Sequence, residues 1–233
     1  MFISINVITM QAAKKYYEHQ TNYFKSKDNI HKIMLLVRVL NNFIRHDILN
    51  HIYINKEIIV TDIYTKLRLE QSVVSQHLAA LKSVYIIKCR RSGKNIYYSV
   101  DREIVTDYIK LINNISTSDN AFMSDTRIDF GNITYAFEFL RVVSHDLRQN
   151  IISFILNNNN FVNVNVIYNN LNLQQSVTSQ HLRLLREIGI CRTKKDGKKI
   201  FYMVNDVQLS NHINLFDEFI KTHDKSNIFF IDK

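Results

Sequence analysis

The feature that most constrains this chain is an internal repeat. The tetrad Ser75-Gln76-His77-Leu78 returns 104 residues later as Ser179-Gln180-His181-Leu182. From Ile63 onwards, about 18 of roughly forty aligned residues are identical between the two copies. A looser match, at a shift of 103, pairs Arg38-Val39 with Arg141-Val142 and Arg45 with Arg148. The 233 residues therefore contain two copies of one unit of roughly 85–100 residues.

Each copy carries the same order of predicted elements. A long helix with apolar periodicity comes first, and two shorter helices separated by a brief turn follow it. An alternating segment with a Ser-Gly or Asp-Gly turn at its centre predicts a β-hairpin, and a closing helix ends the unit. Two short helices, a turn and a hairpin define a winged helix-turn-helix. The predicted ranges, with copy one before copy two, are 29–50 and 134–157 for the long first helix, 60–67 and 164–171 for the second helix, and 71–84 and 175–188 for the third helix. The hairpins are predicted at 86–100 and 190–204, and the closing helices at 101–115 and 207–223.

The repeat sets the expected fold class. We expect a mainly α protein with small β-hairpin wings (α+β), built of two tandem winged helix-turn-helix domains. The predicted boundaries are 1–28 for an N-terminal helical extension, 29–115 for the first domain, 116–131 for a polar linker and 132–233 for the second domain. The simplest hypothesis is an intrachain pseudo-dimer that presents two recognition helices about 34 Å apart. The alternative is a homodimer formed through residues 11–26, with four such helices.

Composition narrows the class of partner. Lys and Arg number 30 against 21 Asp and Glu, so the net charge is +9 and the partner is either nucleic acid or an anionic membrane surface. The chain has no Pro and only 4 Gly, which favours helices, and its 2 Cys exclude a disulfide scaffold. No apolar run approaches the roughly 18–20 residues that span a bilayer, and the start lacks the pattern of a signal peptide. We therefore expect a cytoplasmic protein with no membrane partner.

The third helix of each copy presents a face suited to DNA. At 100° per residue, Val74, Leu78 and Leu81 face the core, and short polar or amide side chains face outward with no acid between Gln71 and Lys82. Gln pairs with adenine, and Ser hydrogen-bonds either base edges or phosphates. In copy two, Arg183 on the outward face of the helix is suited to pair with guanine. A lone residue of this kind usually belongs to a solvated surface, but here the face recurs at the same place in both copies.

The positive charge is concentrated in the two hairpins. They account for 8 of the 9 net positive charges. This is where a wing crosses the phosphate backbone, and it predicts about 4–8 phosphate contacts with steep salt dependence. The alternative is a basic turn that is merely solvated. The basic residues are Lys88, Arg90, Arg91 and Lys94 in the first hairpin, and Arg192, Lys194, Lys195, Lys198 and Lys199, offset by Asp196, in the second.

The segments 69–78 and 173–182, with the Gly-containing basic hairpins that follow, resemble the recognition helix and wing of ArsR-type winged-helix repressors. The resemblance covers about residues 33–115 and 136–223. It implies a double-stranded DNA-binding regulator whose first and last helices form a dimer interface and which an inducer releases from DNA. By that resemblance, with Arg183 added from the exposed face, the DNA-contacting residues are Gln71, Ser72, Ser75, Gln76 and His77 in copy one, and Gln175, Ser176, Ser179, Gln180, His181 and Arg183 in copy two. For the two histidines, a half-buried structural role and a phosphate-binding role stay open.

The chain departs from this family in three ways. Family members usually carry one unit per chain. The recognition helix usually begins at Ser, whereas Glu70 and Gln174, both poorer N-caps, stand here. It commonly ends at Gly, which copy two has as Gly189, but copy one has Tyr85, so we expect that terminus to close differently.

We expect no metal and no cofactor. Many relatives bind metal through a Cys pair, but the matching positions are Ile59 and Thr61, and Asn163 and Asn165 in copy two. His212 and His223 have the spacing of another family metal site without its other ligands, so we expect surface histidines. Cys89 and Cys191 do not align with each other, and we expect both to be buried apolar residues. A small-molecule inducer would fit the resemblance, and the sequence does not identify one.

The leading function is therefore a sequence-specific DNA-binding transcriptional regulator that acts as a repressor on a pseudo-palindromic operator. The first alternative is a winged-helix module for protein interaction or DNA architecture without sequence choice. The second is a plasmid-type replication initiator. We expect no enzyme, because phosphate-binding loops, nucleophile motifs and metalloprotease motifs are missing from the sequence.

Overall fold

A computed structural model describes residues 27–117 and 121–224. It confirms the predicted fold class, since each copy is mainly helical and carries a small antiparallel sheet. The predicted N-terminal extension and the 11–26 dimerisation segment lie outside the described residues, apart from Lys27 and Asp28. No helix among the described residues is long and apolar enough to cross a membrane.

The first copy contains the helix-turn-helix and wing in the predicted order. Its sheet has the strand order β1-β3-β2, and the wing strands pair from Ile87 opposite Val100 to Ser92 opposite Asn95. The elements are α1 Lys27–Leu40, α2 Phe43–Ile54, β1 Ile58–Ile59, α3 Val60–Leu67, α4 Gln71–Ser83, β2 Ile87–Ser92, β3 Asn95–Val100 and α5 Arg102–Ser116.

The second copy repeats this arrangement. Its sheet has the order β6-β8-β7, and its wing strands pair from Cys191 opposite Val204 to Asp196 opposite Lys199. The elements are α6 Ile133–Val143, α7 Asp146–Asn157, β6 Val162–Asn163, α8 Val164–Asn170, α9 Gln175–Glu187, β7 Cys191–Asp196, β8 Lys199–Val204 and α10 Asp206–Asp224.

The prediction of one long first helix in each copy was wrong. In copy one, Leu40 ends α1 and the side chain of Asn42 caps α2 by accepting the N–H of Arg45 at 3.1 Å. In copy two, the ring of His145 caps α7 by accepting the N–H of Leu147 at 3.2 Å. Apolar periodicity continues across both breaks, and capping side chains, which periodicity does not count, place the ends.

The segment 116–131, predicted as a linker, carries its own structure. Strands β4 Phe122–Met123 and β5 Ile128–Asp129 form a short antiparallel hairpin. Asn50 on α2 holds it through both amide atoms: Nδ2 donates to Ile128 O at 3.0 Å and Oδ1 accepts from Ile128 N at 2.7 Å. Tyr53 Oη donates to Ser124 O at 2.6 Å. This hairpin is therefore part of the first winged helix rather than a free connection.

The described residues group into two compact units whose ranges differ from the predicted domains. One contains residues 27–31 and 138–217, and in it Asn29 Nδ2 donates to Asp217 Oδ1 at 3.0 Å. The other contains residues 32–117, 121–137 and 218–224, and in it His223 Nε2 lies 3.1 Å from Asp107 Oδ2. The first five residues of α1 thus belong with copy two, and the last seven residues of α10 with copy one.

The two recognition helices end in the same way, which corrects the expectation for copy one. Tyr85 adopts φ 58° and Gly189 φ 78°, both in the left-handed region. The N–H of Tyr85 bonds Lys82 O at 2.9 Å, and that of Gly189 bonds Arg186 O at 3.0 Å. Tyr85 therefore closes its helix in the conformation that favours glycine.

Candidate nucleic-acid interface

The recognition helices α4 and α9 are held by an apolar inner face. Val74, Leu78 and Leu81 of α4 are buried, as the periodicity predicts. In α9 the matching positions are Thr178, Leu182 and Leu185, which are also buried, and Thr178 Oγ1 donates to Gln174 O at 3.0 Å. Burial of this face fixes which residues of each helix point outward.

The outward face carries the predicted reading residues. Ser72, Gln76 and Ala79 are exposed on α4, and Ser176, Gln180 and Arg183 are exposed on α9. Neither Glu70 nor Gln174 makes a side-chain cap at the start of its helix, as expected of poor N-caps. The other predicted residues of the helix tips are exposed as well: Gln71, Ser75, Gln175 and Ser179.

The two histidines of the repeated tetrad are half-buried and lie next to arginines. Arg148 Nη1 lies 3.4 Å from His181 Nδ1, and the ring of His145 is centred 5.1 Å from that of His181. Burial lowers the pKa of His181, and the charges of Arg148 and His145 lower it further. Burial and the charge of Arg45 lower the pKa of His77 in the same direction. Both imidazoles are therefore held neutral, which suits a supporting or hydrogen-bonding role better than that of a permanent cation.

These arginines are a structural element whose role the sequence reading did not assign. Arg45 Nη1 donates to Val39 O at 2.6 Å, and Arg148 Nε donates to Val142 O at 2.6 Å. Each arginine thus ties the helix it lies on to the last turn of the preceding helix. The signal was present in the repeat, because these arginines and their carbonyl partners recur at the same shift of 103.

The first wing presents fewer available cations than its composition predicts. Arg90 forms a two-point contact with Glu57, with Nε–Oε1 and Nη2–Oε2 both at 2.5 Å, and lies 4.6 Å above the ring of Tyr97. Hydrogen bonding to Arg90 lowers the pKa of Glu57 and the same bond raises that of Arg90. Lys88 Nζ lies 2.6 Å from Asp101 Oδ2. Two of its four predicted phosphate-binding residues are therefore already paired with acids, while Arg91 and Lys94 are exposed.

The second wing keeps its cations unpaired. Within the described part of the chain, none of its five basic side chains forms an ion pair with a carboxylate. All of them are exposed: Arg192, Lys194, Lys195, Lys198 and Lys199.

Three expectations about other candidate residues were wrong. Cys89 is exposed, whereas Cys191 is buried as expected and burial raises its pKa to about 12. His212 and His223 are buried rather than on the surface, because each packs against an aromatic ring: His212 lies tilted by 30° against Phe139, and His223 stacks on Phe219. Among the described residues, no group of three or more His, Cys, Asp or Glu side chains could hold a metal ion.

Comparison with known proteins gives relatives about the size of one copy. No family model matches the chain. Over 98 residues it is 35% identical to the transcriptional repressor PagR of Bacillus anthracis, and the match covers 42% of this chain and 94% of PagR. It is 30% identical over 84 residues to the transcriptional activator HlyU of Vibrio cholerae, covering 36% of this chain and 76% of HlyU. The crystal structure of PagR is similar over 39% of this chain and 99% of its own, with 36% identity and a TM-score of 0.31.

Proposed function

The chain belongs to the ArsR/SmtB family of winged-helix transcriptional regulators, and we propose that it binds double-stranded DNA at specific sites with both of its recognition helices and both of its wings. The operator in this proposal is pseudo-palindromic, with one half-site for each copy. Base edges in the major groove are read from α4 and α9, while the wings hold phosphates.

One observation carries the proposal: both recognition helices present the same exposed polar face, free of acids from Gln71 to Lys82 and from Gln175 to Arg186, and a basic hairpin follows each. Gln76 and Gln180 are exposed at the same place in their helices. An amide there pairs with adenine N6 and N7. Because these stretches carry no carboxylate, they approach a polyanion without repulsion, and the neighbouring wing supplies the attraction.

The make-up of the two compact units supports an intrachain pseudo-dimer. Residues 27–31 begin the first helix of copy one yet belong to the unit that contains most of copy two, where Lys27 pairs with Asp146 at 2.5 Å. Residues 218–224 end the last helix of copy two yet belong to the unit that contains most of copy one, where the rings of Phe219 and Tyr108 are centred 5.9 Å apart. Both α1 and α10 therefore contribute to two units, so one chain would supply both halves of an operator-binding pair.

We further propose that the protein acts in the cytoplasm as a repressor and not as an enzyme. Of the relatives, PagR is named a repressor and HlyU an activator. An operator that overlaps a promoter would produce repression by occlusion.

The test is selection of bound duplexes from a random DNA library at about physiological salt, followed by affinity measurements with Gln76→Ala/Gln180→Ala. We expect one enriched site with two similar half-sites about ten base pairs apart. The double variant should lose preference among sites while keeping weak, salt-dependent binding, at a cost of about 1–3 kcal/mol for each lost base contact. Asn114→Ala, an exposed amide on α5, serves as the control and should bind as the unaltered chain does.

The outcomes separate this function from its alternatives. Salt-sensitive binding without an enriched site would contradict specific regulation and favour an architectural module. Enrichment of tandem direct repeats instead of paired half-sites would favour an initiator of replication. A single enriched half-site would show that only one copy reads bases.

A further inference from the structure

The two wings differ in the residues that surround their cations. Glu57, which binds Arg90 in copy one, aligns with Phe161 in copy two. Asp101, which binds Lys88, aligns with Asn205. Both acids that neutralise the first wing are therefore missing from the second.

The replacements keep the structural roles of these acids and remove their charge. Phe161 stacks on Phe201, with ring centroids 4.2 Å apart and planes 5° apart, so an aromatic contact takes the place of the ion pair beside the central strand. Asn205 accepts the N–H of Gln208 at 3.3 Å near the start of α10, and Asp101 does the same for Ile104 at 3.4 Å at the start of α5. The second wing is thus supported at these two positions by side chains that carry no charge.

The recognition helices also differ in positive charge, and again copy two has the additional cation. Arg183 on α9 is exposed, and its Nε donates to Glu187 Oε1 at 2.8 Å, whereas its two Nη nitrogens make no hydrogen bond within the described residues. That pair is the fork that binds guanine O6 and N7. The aligned residues on α4 are Ala79 and Ser83, which have neither the charge nor the reach.

We propose that the second winged helix is the principal DNA anchor of the chain and that Glu57 and Asp101 weaken the phosphate grip of the first. Together with its bound acids the first wing carries a net charge of +2, whereas the second carries +4. This inference rests on the proposed function. It adds that the two half-sites are read unequally, with a guanine preferred opposite Arg183.

Matched pairs of residues make the inequality measurable. Lys88 and Arg90 align with Arg192 and Lys194. Each phosphate contact contributes about 0.9 to the slope of log affinity against log salt. Arg192→Ala/Lys194→Ala should lower that slope by about 1.8 and weaken binding about tenfold or more near physiological salt. Lys88→Ala/Arg90→Ala should lower the slope by less than about 0.5, because both cations are already engaged by acids.

A variant that is expected to bind DNA more tightly separates the inference from simple misfolding, because a misfolded variant would lose binding. Glu57→Gln/Asp101→Asn frees both cations, and Asn remains a good N-cap at position 101. We expect tighter binding by several-fold and a steeper slope by about 1–2. The control Asp28→Asn/Glu218→Gln changes the net charge by the same amount on α1 and α10, outside both wings, and should change the slope little.

The base preference opposite Arg183 has its own readout. Arg183→Ala should relax the choice of guanine at one position of one half-site by about tenfold or more and leave the other half-site unchanged. Equal slope losses from the two wing variants, or no gain from Glu57→Gln/Asp101→Asn, would overturn the inference while site-specific binding by the unaltered chain kept the proposed function standing. Absence of site-specific binding by the unaltered chain would overturn both.

Discussion

The recognition helices of the two copies both end at a residue in the left-handed backbone conformation. The residue is Tyr85 in copy one and Gly189 in copy two, and the two differ in the free energy needed to adopt that conformation. Gly189 enters the left-handed region without strain, whereas the Cβ of Tyr85 makes that region unfavourable by about 1–2 kcal/mol. The residues flanking Tyr85 in copy one, Val84 and Ile86, are both buried. Packing on either side of the turn therefore imposes its shape, and the local residue adjusts to it. Core positions keep the fold of the two copies alike while strain, charge and capping diverge.

The largest expected effect concerns the two repeated arginines. Arg148 is buried and donates to two carbonyls, Val142 O at 2.6 Å and Arg141 O at 2.9 Å. A hydrogen bond to a charged group stabilises by roughly 1.5–3 kcal/mol, so Arg148→Met should lower the free energy of unfolding by about 3 kcal/mol. Urea denaturation followed by circular dichroism measures the loss.

The matched change in copy one should cost less. Arg45 donates to one carbonyl, and its buried Nε has no hydrogen-bond partner within the described residues. We expect Arg45→Met to lower the free energy of unfolding by about 1–2 kcal/mol, and the exposed Arg38→Met, as a control, by less than about 0.5 kcal/mol. A larger loss of unfolding free energy for Arg45→Met than for Arg148→Met would contradict this account of how the two arginines hold their helices.

The next expected effect concerns the residues at the ends of the recognition helices. It is smaller, and the free energy of unfolding should change in opposite directions in the two copies. Tyr85→Gly removes the strain of a side chain at positive φ and should raise the free energy of unfolding by about 1 kcal/mol. Gly189→Ala places a Cβ there and should lower it by about 1–2 kcal/mol. That cost is one of backbone strain, because the added atom would meet only the Gln208 side chain, at 3.6 Å. Thermal unfolding of the two variants checks both signs, and destabilisation by Tyr85→Gly would show that the tyrosine ring contributes more than the strain removes.

Sequence reasoning located the helix-turn-helix and the wing of each copy because these elements depend on local periodicity and on a repeat that can be checked twice. It missed contacts between residues far apart in sequence. Glu57 lies 33 residues before Arg90, and no local pattern connects the two, so the sequence assigns the same charge of +4 to both wings. The sequence predicts a surface position for His223, because its partner, Asp107, is 116 residues away and leaves no local signal. The hairpin in 116–131 was missed because its strands are two residues long and one carboxamide, Asn50, holds it.

The smallest expected effect is a difference in pH dependence that comes from the caps of α2 and α7. Asn42 caps α2 with an amide that does not titrate, whereas His145 caps α7 through Nδ1, which accepts a hydrogen bond only when the ring is neutral. Burial lowers the pKa of His145, and the charge of Arg148 lowers it further. A histidine with a lowered pKa binds its proton more weakly in the folded state than in the unfolded one. Its contribution is therefore intact above about pH 6.5 and is lost as the pH falls through the folded pKa.

His145→Asn converts the second cap into the first and tests this directly. The variant should unfold at nearly the same temperature as the unaltered chain at pH 7.5 and at a higher temperature at pH 5, by on the order of 1 °C. His77→Asn, which alters no cap, is the matched comparison and removes a histidine whose pKa is also lowered. If the cap is the cause, His145→Asn retains the Leu147 N–H bond at pH 5 and slows its hydrogen exchange there, whereas His77→Asn leaves that exchange unchanged. Equal protection of Leu147 in the two variants would mean that burial of the ring, and not its capping bond, makes the second copy sensitive to acid.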